Sequence, residues 1–295
     1  METNLLGHYK NGNYNVFIMK DGTKIRKSPK GEGFIPEKPE SMDILLTKKC
    51  MEGCPFCHEG ATADGKNGDI MQVPFLDTLL PYTELALGGG DVFLHPDFIP
   101  FLERCKEKRL ICNTTVHQNQ FMQHRQEIKD LTDKGLLYGI GISTFNPTNE
   151  LIEAIQEFPN AVIHIINGVQ SIKFIQKMYD RDLKVLILGY KEFRRGADFY
   201  SPAIEARKTA MYNELPEIVK HFKVVSFDNL AIKQLDVKRI VPDWDRFYMG
   251  DDGQFTMYVD LVNKQYAKCS IAPLNERYPL TDDIKDMFQK IRNAK

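Results

Sequence analysis

Residues 42–57 read Met42-Asp43-Ile44-Leu45-Leu46-Thr47-Lys48-Lys49-Cys50-Met51-Glu52-Gly53-Cys54-Pro55-Phe56-Cys57. The first six form a short, mostly apolar run suited to a buried strand. A C-x3-C-x2-C pattern follows directly, so the three thiols stand in the loop that leaves the strand. The chain has six cysteines in all; in a reducing compartment, clustered thiols point to metal or catalysis before disulfides. Three readings compete. In the first, Cys50, Cys54 and Cys57 are ordinary loop cysteines. In the second they bind zinc, with His58 completing a Cys3His site. In the third they hold a [4Fe–4S] cluster by three thiolates and leave one iron open to another ligand.

Working outward, apolar runs recur at residues 84–87, 110–116, 137–143, 161–166, 184–188 and 223–227. Helix-like stretches at 98–108, 123–134, 148–158 and 171–181 lie between them. This alternation predicts βα units and a parallel sheet. Roughly six or seven units suggest an α/β fold with a full or partial barrel, with a doubly wound open sheet as the alternative. Residues 1–40 read as an N-terminal extension. Lys20-Asp21-Gly22 joins strand-like residues 14–19 and 23–26 in a hairpin, and residues 28–40 form a linker with Pro29, Gly31, Gly33, Pro36 and Pro39. Residues 41–240 form the core domain. Residues 241–295 form a C-terminal β-rich cap with strands at 254–261 and 266–271 and a last helix at 281–292, N-capped by Thr281.

Several positions have chemistry suited to a site. Gly88-Gly89-Gly90-Asp91 ends the second core strand, where glycines let a ligand approach the backbone. Strand alternation puts Asn113, Thr115, His117 and Asn119 on one face, and polar residues at carboxyl strand ends line barrel sites. His58 and Glu59 open a long polar loop, residues 58–69, beside the cysteines. Lys191, Arg194 and Arg195 form a basic group able to receive a carboxylate or phosphate. His164 reads equally as a buried core histidine and as a functional one. Cys105 and Cys112 read as buried. Cys269 stands alone among the C-terminal strands, so no auxiliary cluster is expected.

The cysteine pattern, with aromatic Phe56 before its last thiol, resembles the motif of the radical S-adenosylmethionine (SAM) superfamily, and the resemblance spans residues 42 to 235. It implies a partial (β/α)6 TIM-like barrel and a [4Fe–4S] cluster on Cys50, Cys54 and Cys57. The amino and carboxylate groups of SAM would chelate the open iron. One electron would then cleave the sulfonium to a 5′-deoxyadenosyl radical that abstracts hydrogen from a substrate. On the same resemblance, Gly88, Gly89, Gly90 and Asp91 match a Gly-Gly-Glu element that binds the methionyl amino group, with Asp91 standing where glutamate is usual. Ser143 matches the ribose and carboxylate position, and Leu188, Gly189 and Tyr190 the adenine position. Phe56 and Asn113 join this SAM-binding set. His58, His117 and Lys191 are the candidate catalytic residues. The two chain ends are expected to cover the barrel mouth, because a carbon radical must be kept from water.

The formal net charge of −1 does not call for nucleic acid as the main partner, although a local basic patch leaves tRNA open. No apolar run reaches membrane-span length, and the first residues do not read as a secretory signal; the expected location is cytoplasmic. The expected substrate is a small molecule, a nucleoside, base or amino-acid-like compound, for example in a queuosine- or queuine-type lyase. A flavodoxin or ferredoxin-type protein is the expected electron donor. The alternatives are radical modification of a peptide or protein side chain and, in a different class, a zinc-stabilised binding module.

Overall fold

The computed structural model describes residues 4–294; residues 1–3, at the head of the segment read against a secretory signal, lie outside them. The chain opens with an antiparallel sheet of β1 (Leu5–Asn11), β2 (Tyr14–Met19) and β3 (Lys24–Lys27), in that order. The expected hairpin is β2–β3, with Gly22 at φ +88° in its turn. The first strand was not anticipated, although Tyr9 and Asn11 alternate inward with exposed His8 and Lys10.

Seven parallel strands follow, each beside its predecessor: β4 (Ser41–Thr47), β5 (Glu84–Gly89), β6 (Ile111–His117), β7 (Gly139–Ser143), β8 (Ala161–Ile166), β9 (Lys184–Leu188) and β10 (Val224–Phe227). Helices α1 (Phe98–Glu107), α2 (Gln118–Asp133), α3 (Asn149–Gln156), α4 (Ile172–Gln176), α5 (Arg195–Phe199) and α6 (Pro202–Ile218) lie between them, and α7 (Asn229–Leu235) and α8 (Trp244–Phe247) come after β10. From β4 to β10 the order never reverses. A doubly wound sheet would reverse at a switch point, so the winding is of the barrel kind. Among the described residues no ladder joins the two edges of the sheet, β10 and the last C-terminal strand, so the sheet is open.

The C-terminal strands do not form a separate cap. β11 (Thr256–Asp260) pairs in parallel with the free edge of β4, and β12 (Gln265–Ala267) and β13 (Tyr278–Pro279) extend the same sheet. An unpaired edge beside β4 would leave a row of backbone polar groups without partners, and β11 satisfies them. The final helix α9 (Ile284–Asn293) starts later than expected. Its cap is Asp283, which accepts from Lys285 N and Asp286 N, while Thr281 N is turned to Met287 Sδ.

The N-terminal sheet also departs from expectation. Its apolar face, with Tyr14, Val16 and Ile18, packs on Ile111, Tyr82 and Tyr138, which lie at or just before the starts of β6, β5 and β7. It therefore covers the amino ends of the strands, whereas the cysteines follow the carboxyl end of β4. Fully buried Glu40 pins it there. Tyr14 OH donates to Glu40 at 2.5 Å, and Arg26 makes a two-pronged contact at 2.8 and 3.0 Å. The Arg26 guanidinium also lies 3.7 Å from the Phe255 ring centre.

Candidate functional site

The cysteine loop is a closed structure. After β4 the chain leaves through the cysteines and folds back on itself. Lys48 N donates to Lys66 O at 2.9 Å, Cys50 N to Thr62 O at 2.8 Å and Gly68 N to Leu46 O at 2.8 Å. Two members of the glycine run fasten this loop. Gly89 sits at φ +111°, and a side chain on Gly89 or Gly90 would strike Thr47 O or Lys49 O. Their contacts let Gly90 N reach Thr47 O at 2.7 Å and Asp91 N reach Lys49 O at 2.8 Å. Gly88 alone faces open space. On the other flank, Glu52 accepts from Asn119 Nδ2 at 2.9 Å.

A cavity of about 430 Å³ opens at the carboxyl ends of the strands. Cys50, Cys54, Cys57, Phe56, Gly88, Gly89, Gly90, Ser143, Leu188, Tyr190, His58, His117 and Lys191 all line it, so the structure gathers most of the expected site. The three thiols are free and partly accessible. Burial and the neighbouring Cys57 and Cys50 sulfurs push the Cys54 thiol up to about 11. Burial raises the Cys50 thiol as well, and added positive charge, which a metal supplies, would hold such sulfurs as thiolates. Gln120 Nε2 lies 3.6 Å from Cys50 Sγ, a donor suited to a thiolate. Among the described residues no three Cys, His, Asp or Glu side chains are arranged to hold a single metal ion; a cluster, which spreads its thiolates over several irons, is the group that three free thiols at this spacing could hold.

His58 is turned away from a zinc-ligand role. Its Nε2 lies 3.2 Å from Lys191 Nζ and 3.4 Å from Glu59 Oε1. Burial first, then the Lys191 charge, hold its pKa below the usual imidazole value. Lys191 Nζ also reaches Ser270 Oγ at 3.1 Å, so the C-terminal segment does reach the mouth. Burial alone would raise the Glu59 carboxyl, but His58, Lys191 and Arg194 outweigh it and bring it to about 2. Glu59 accepts from Tyr258 OH at 3.2 Å and from Arg194, which also binds its carbonyl. The ionised carboxylate therefore ties the cysteine loop to β11 and to the segment after β9.

Two expected cofactor residues lie outside the cavity lining. Asp91 is turned into the protein, where it caps a short 3-10 turn by accepting from Phe93 N at 3.1 Å. Asn113 lies low on β6, its amide against Gly139. The backbone expected to meet adenine is already paired: Gly189 N with Asp228, and both Tyr190 N and Tyr190 O with Gln234. His117 caps α2 through Asn119 N. Sequence reading did not single out Asp43, Gln120, Asp228, Tyr258 or Ser270, all of which line the cavity. Asp43 alone carried a local signal, as a charged residue inside an apolar strand.

No family model and no curated protein matches this chain. Solved structures of the same fold do. Streptococcus suis SuiB bound to precursor peptide SuiA superposes with a TM-score of 0.59 at 15% identity, covering 88% of this chain and 68% of SuiB. SuiB bound to S-adenosylmethionine gives a TM-score of 0.57 at 12% identity, covering 91% of this chain and 82% of that one. The chain thus has the fold of a protein that has been captured with both SAM and a peptide.

Proposed function

We propose that this protein is a radical SAM enzyme that acts on a peptide or protein side chain. One observation carries the reading: three free thiols leave the carboxyl end of β4 and open on a cavity walled by the ends of parallel strands. The likeness to SuiB, captured with SAM and with its precursor peptide, supports both halves. When bound, a [4Fe–4S] cluster on Cys50, Cys54 and Cys57 supplies one electron for cleavage of SAM to the hydrogen-abstracting 5′-deoxyadenosyl radical.

The chain's own residues bind, orient and shield. Gly88 leaves room beside its backbone for the methionyl end of SAM. Arg195 lines the cavity with its buried Nε unpartnered, ready for a carboxylate. Ser143 offers a hydroxyl at the end of β7. Phe56, packed on Phe145 and Phe199 at ring distances of 5.3 and 5.9 Å, keeps water off one wall. Lys191 and His58 share a proton-bearing contact within the cavity. Residues 1–40, 41–240 and 241–295 act as floor, catalytic core and closing segment. A cytosolic flavodoxin or ferredoxin-type donor is the matching reductant.

The neighbour captured with its precursor peptide favours the peptide over a small molecule. The small-molecule expectation, a queuosine-type lyase included, is therefore the weaker reading.

Anaerobic reconstitution tests the proposal. The expected product is a brown protein with about four irons that absorbs near 400 nm and forms 5′-deoxyadenosine with SAM and dithionite. Alanine at Cys50, Cys54 or Cys57 should abolish both the absorbance and the product. A colourless protein with stoichiometric zinc would overturn the reading in favour of a zinc-stabilised binding module.

A further inference from the structure

The cofactor chemistry leaves two polar groups low in the cavity unused. Asp43 is on the inward face of β4, in register with Ala86 on β5 and two residues below the Leu45–Gly88 pair. It lines the cavity and is open to it. Among the described residues its carboxylate has no hydrogen bond or ion pair; burial raises its pKa and no bond offsets that. The second group is His164 on β8, which lines the same cavity and lies over Gly141. It is 8% exposed, and its Nδ1 has no partner.

Buried polar groups are paired in nearly all folded proteins, so the orphaned His164 Nδ1 marks where a ligand supplies the partner, and the Asp43 carboxylate stands unpaired and open to the same cavity. The surrounding charges say which kind. Lys191 attracts the Asp43 carboxylate, while Asp252, Glu59 and Asp228 repel it. Lys191 is already engaged with His58 and Ser270. Asp228 is spent on Gly189 N and Ala231 N, and Glu59 on Arg194 and Tyr258. The floor thus presents a carboxylate without its own cation. Ala86 and Gly141 are small and leave room beside it. His164, kept neutral by burial, adds an imidazole that accepts one further N–H.

We propose that Asp43 and His164 form a receptor for a cationic nitrogen group, an ammonium or guanidinium, carried by the substrate. Its role as a substrate site rests on the radical SAM reading; recognition of the cation does not. Asp43 stands towards the opposite end of β4 from the cysteine loop, away from where the methionyl end of SAM would be held.

Ligand-observed saturation-transfer NMR on the cluster-loaded protein, with and without SAM, tests this with two probes: n-butylamine, charged at pH 7.5, and its uncharged isostere n-butanol. The amine is expected to bind at least about tenfold more tightly, as a charge-assisted hydrogen bond requires. Asp43→Asn should erase that preference, and His164→Gln should weaken it. Asp43→Asn removes an unpaired charge and is expected to melt no lower than wild type, which separates lost recognition from lost folding. Equal binding of amine and alcohol by the wild-type protein would overturn the proposal, as would a preference that survives Asp43→Asn. A loss of SAM affinity beyond tenfold in that variant would also overturn it, by assigning Asp43 to the cofactor. Iron content and 5′-deoxyadenosine formation in the same preparation test the broader reading separately. Their absence sinks the radical SAM assignment, while the amine preference measured without SAM is decided independently.

Discussion

At the scale of single residues, His164 makes a pH prediction. Burial lowers its pKa from 6.5 to about 4. In the unfolded chain the imidazole takes up its proton near pH 6.5; in the folded protein it resists until about pH 4. Between these values the unfolded state binds more protons, so stability falls as pH drops through that window and is flat on either side. The full loss is about 3 kcal/mol. Urea unfolding at pH 7 and pH 4.5 should show the drop in wild type and a smaller one in His164→Phe. An identical drop in both would assign the acid lability to other groups. His164 and Asp43 also show what a single sequence conceals. The cysteines announce themselves by spacing, but an aspartate within Met42–Thr47 reads as a flaw in a strand until the pleat places it on the cavity face of the sheet. Asp91 conceals in the opposite direction: it sits beside a motif, yet its carboxylate serves a turn.

At the scale of elements, the strands were legible because parallel strands buried on both faces form continuous apolar runs bounded by turns. Helix limits were less so. The His117–Gln120 capping box starts α2 five residues before the expected position, and the ladder of α4 ends early at Gln176. In α6, Ile204, Met211, Leu215 and Ile218 keep helical spacing, but the interior Pro216 masks the pattern. The carboxyl end of β5 separates two roles within one glycine run. Gly90→Ala would drive a methyl into Lys49 O and should cost about 1–3 kcal/mol while loosening iron retention. Gly88→Ala meets nothing and should fold and hold iron normally but bind SAM more weakly. Chelator-challenge iron release and SAM titration check the pair. Equal effects from the two substitutions would mean the run acts as one unit.

At the scale of the whole molecule, the N-terminal sheet seals the amino ends of the strands and the C-terminal segment reaches the mouth through Tyr258 and Ser270. Sequence patterns revealed both β-rich ends but not where they dock, because docking depends on long-range pairs such as Arg26 with Glu40. Arg26→Met should cost about 3–5 kcal/mol, since it leaves a fully buried carboxylate short of its main partner. Removing residues 1–35 takes away Tyr14, Lys24 and Arg26 together and opens the floor. Such a chain should melt lower and form 5′-deoxyadenosine out of proportion to modified peptide, which calorimetry and product ratios would reveal. An unchanged ratio would mean that the floor is irrelevant to shielding.

The parallel pairing of β11 with β4 also has a consequence for biosynthesis. β4 meets β5 soon after both are made, but its other edge waits for residues 256–260, about two hundred residues later along the chain. Throughout that interval a nascent chain on the ribosome displays a bare, apolar strand edge, the feature that recruits chaperones or seeds aggregation. The same wait governs the cysteine loop, because Gly68 packs on Leu261 and Glu59 on Tyr258. The cysteine loop therefore takes its final shape only once residues 256–261 have been made, and on the proposed function cluster insertion becomes a step that follows their synthesis.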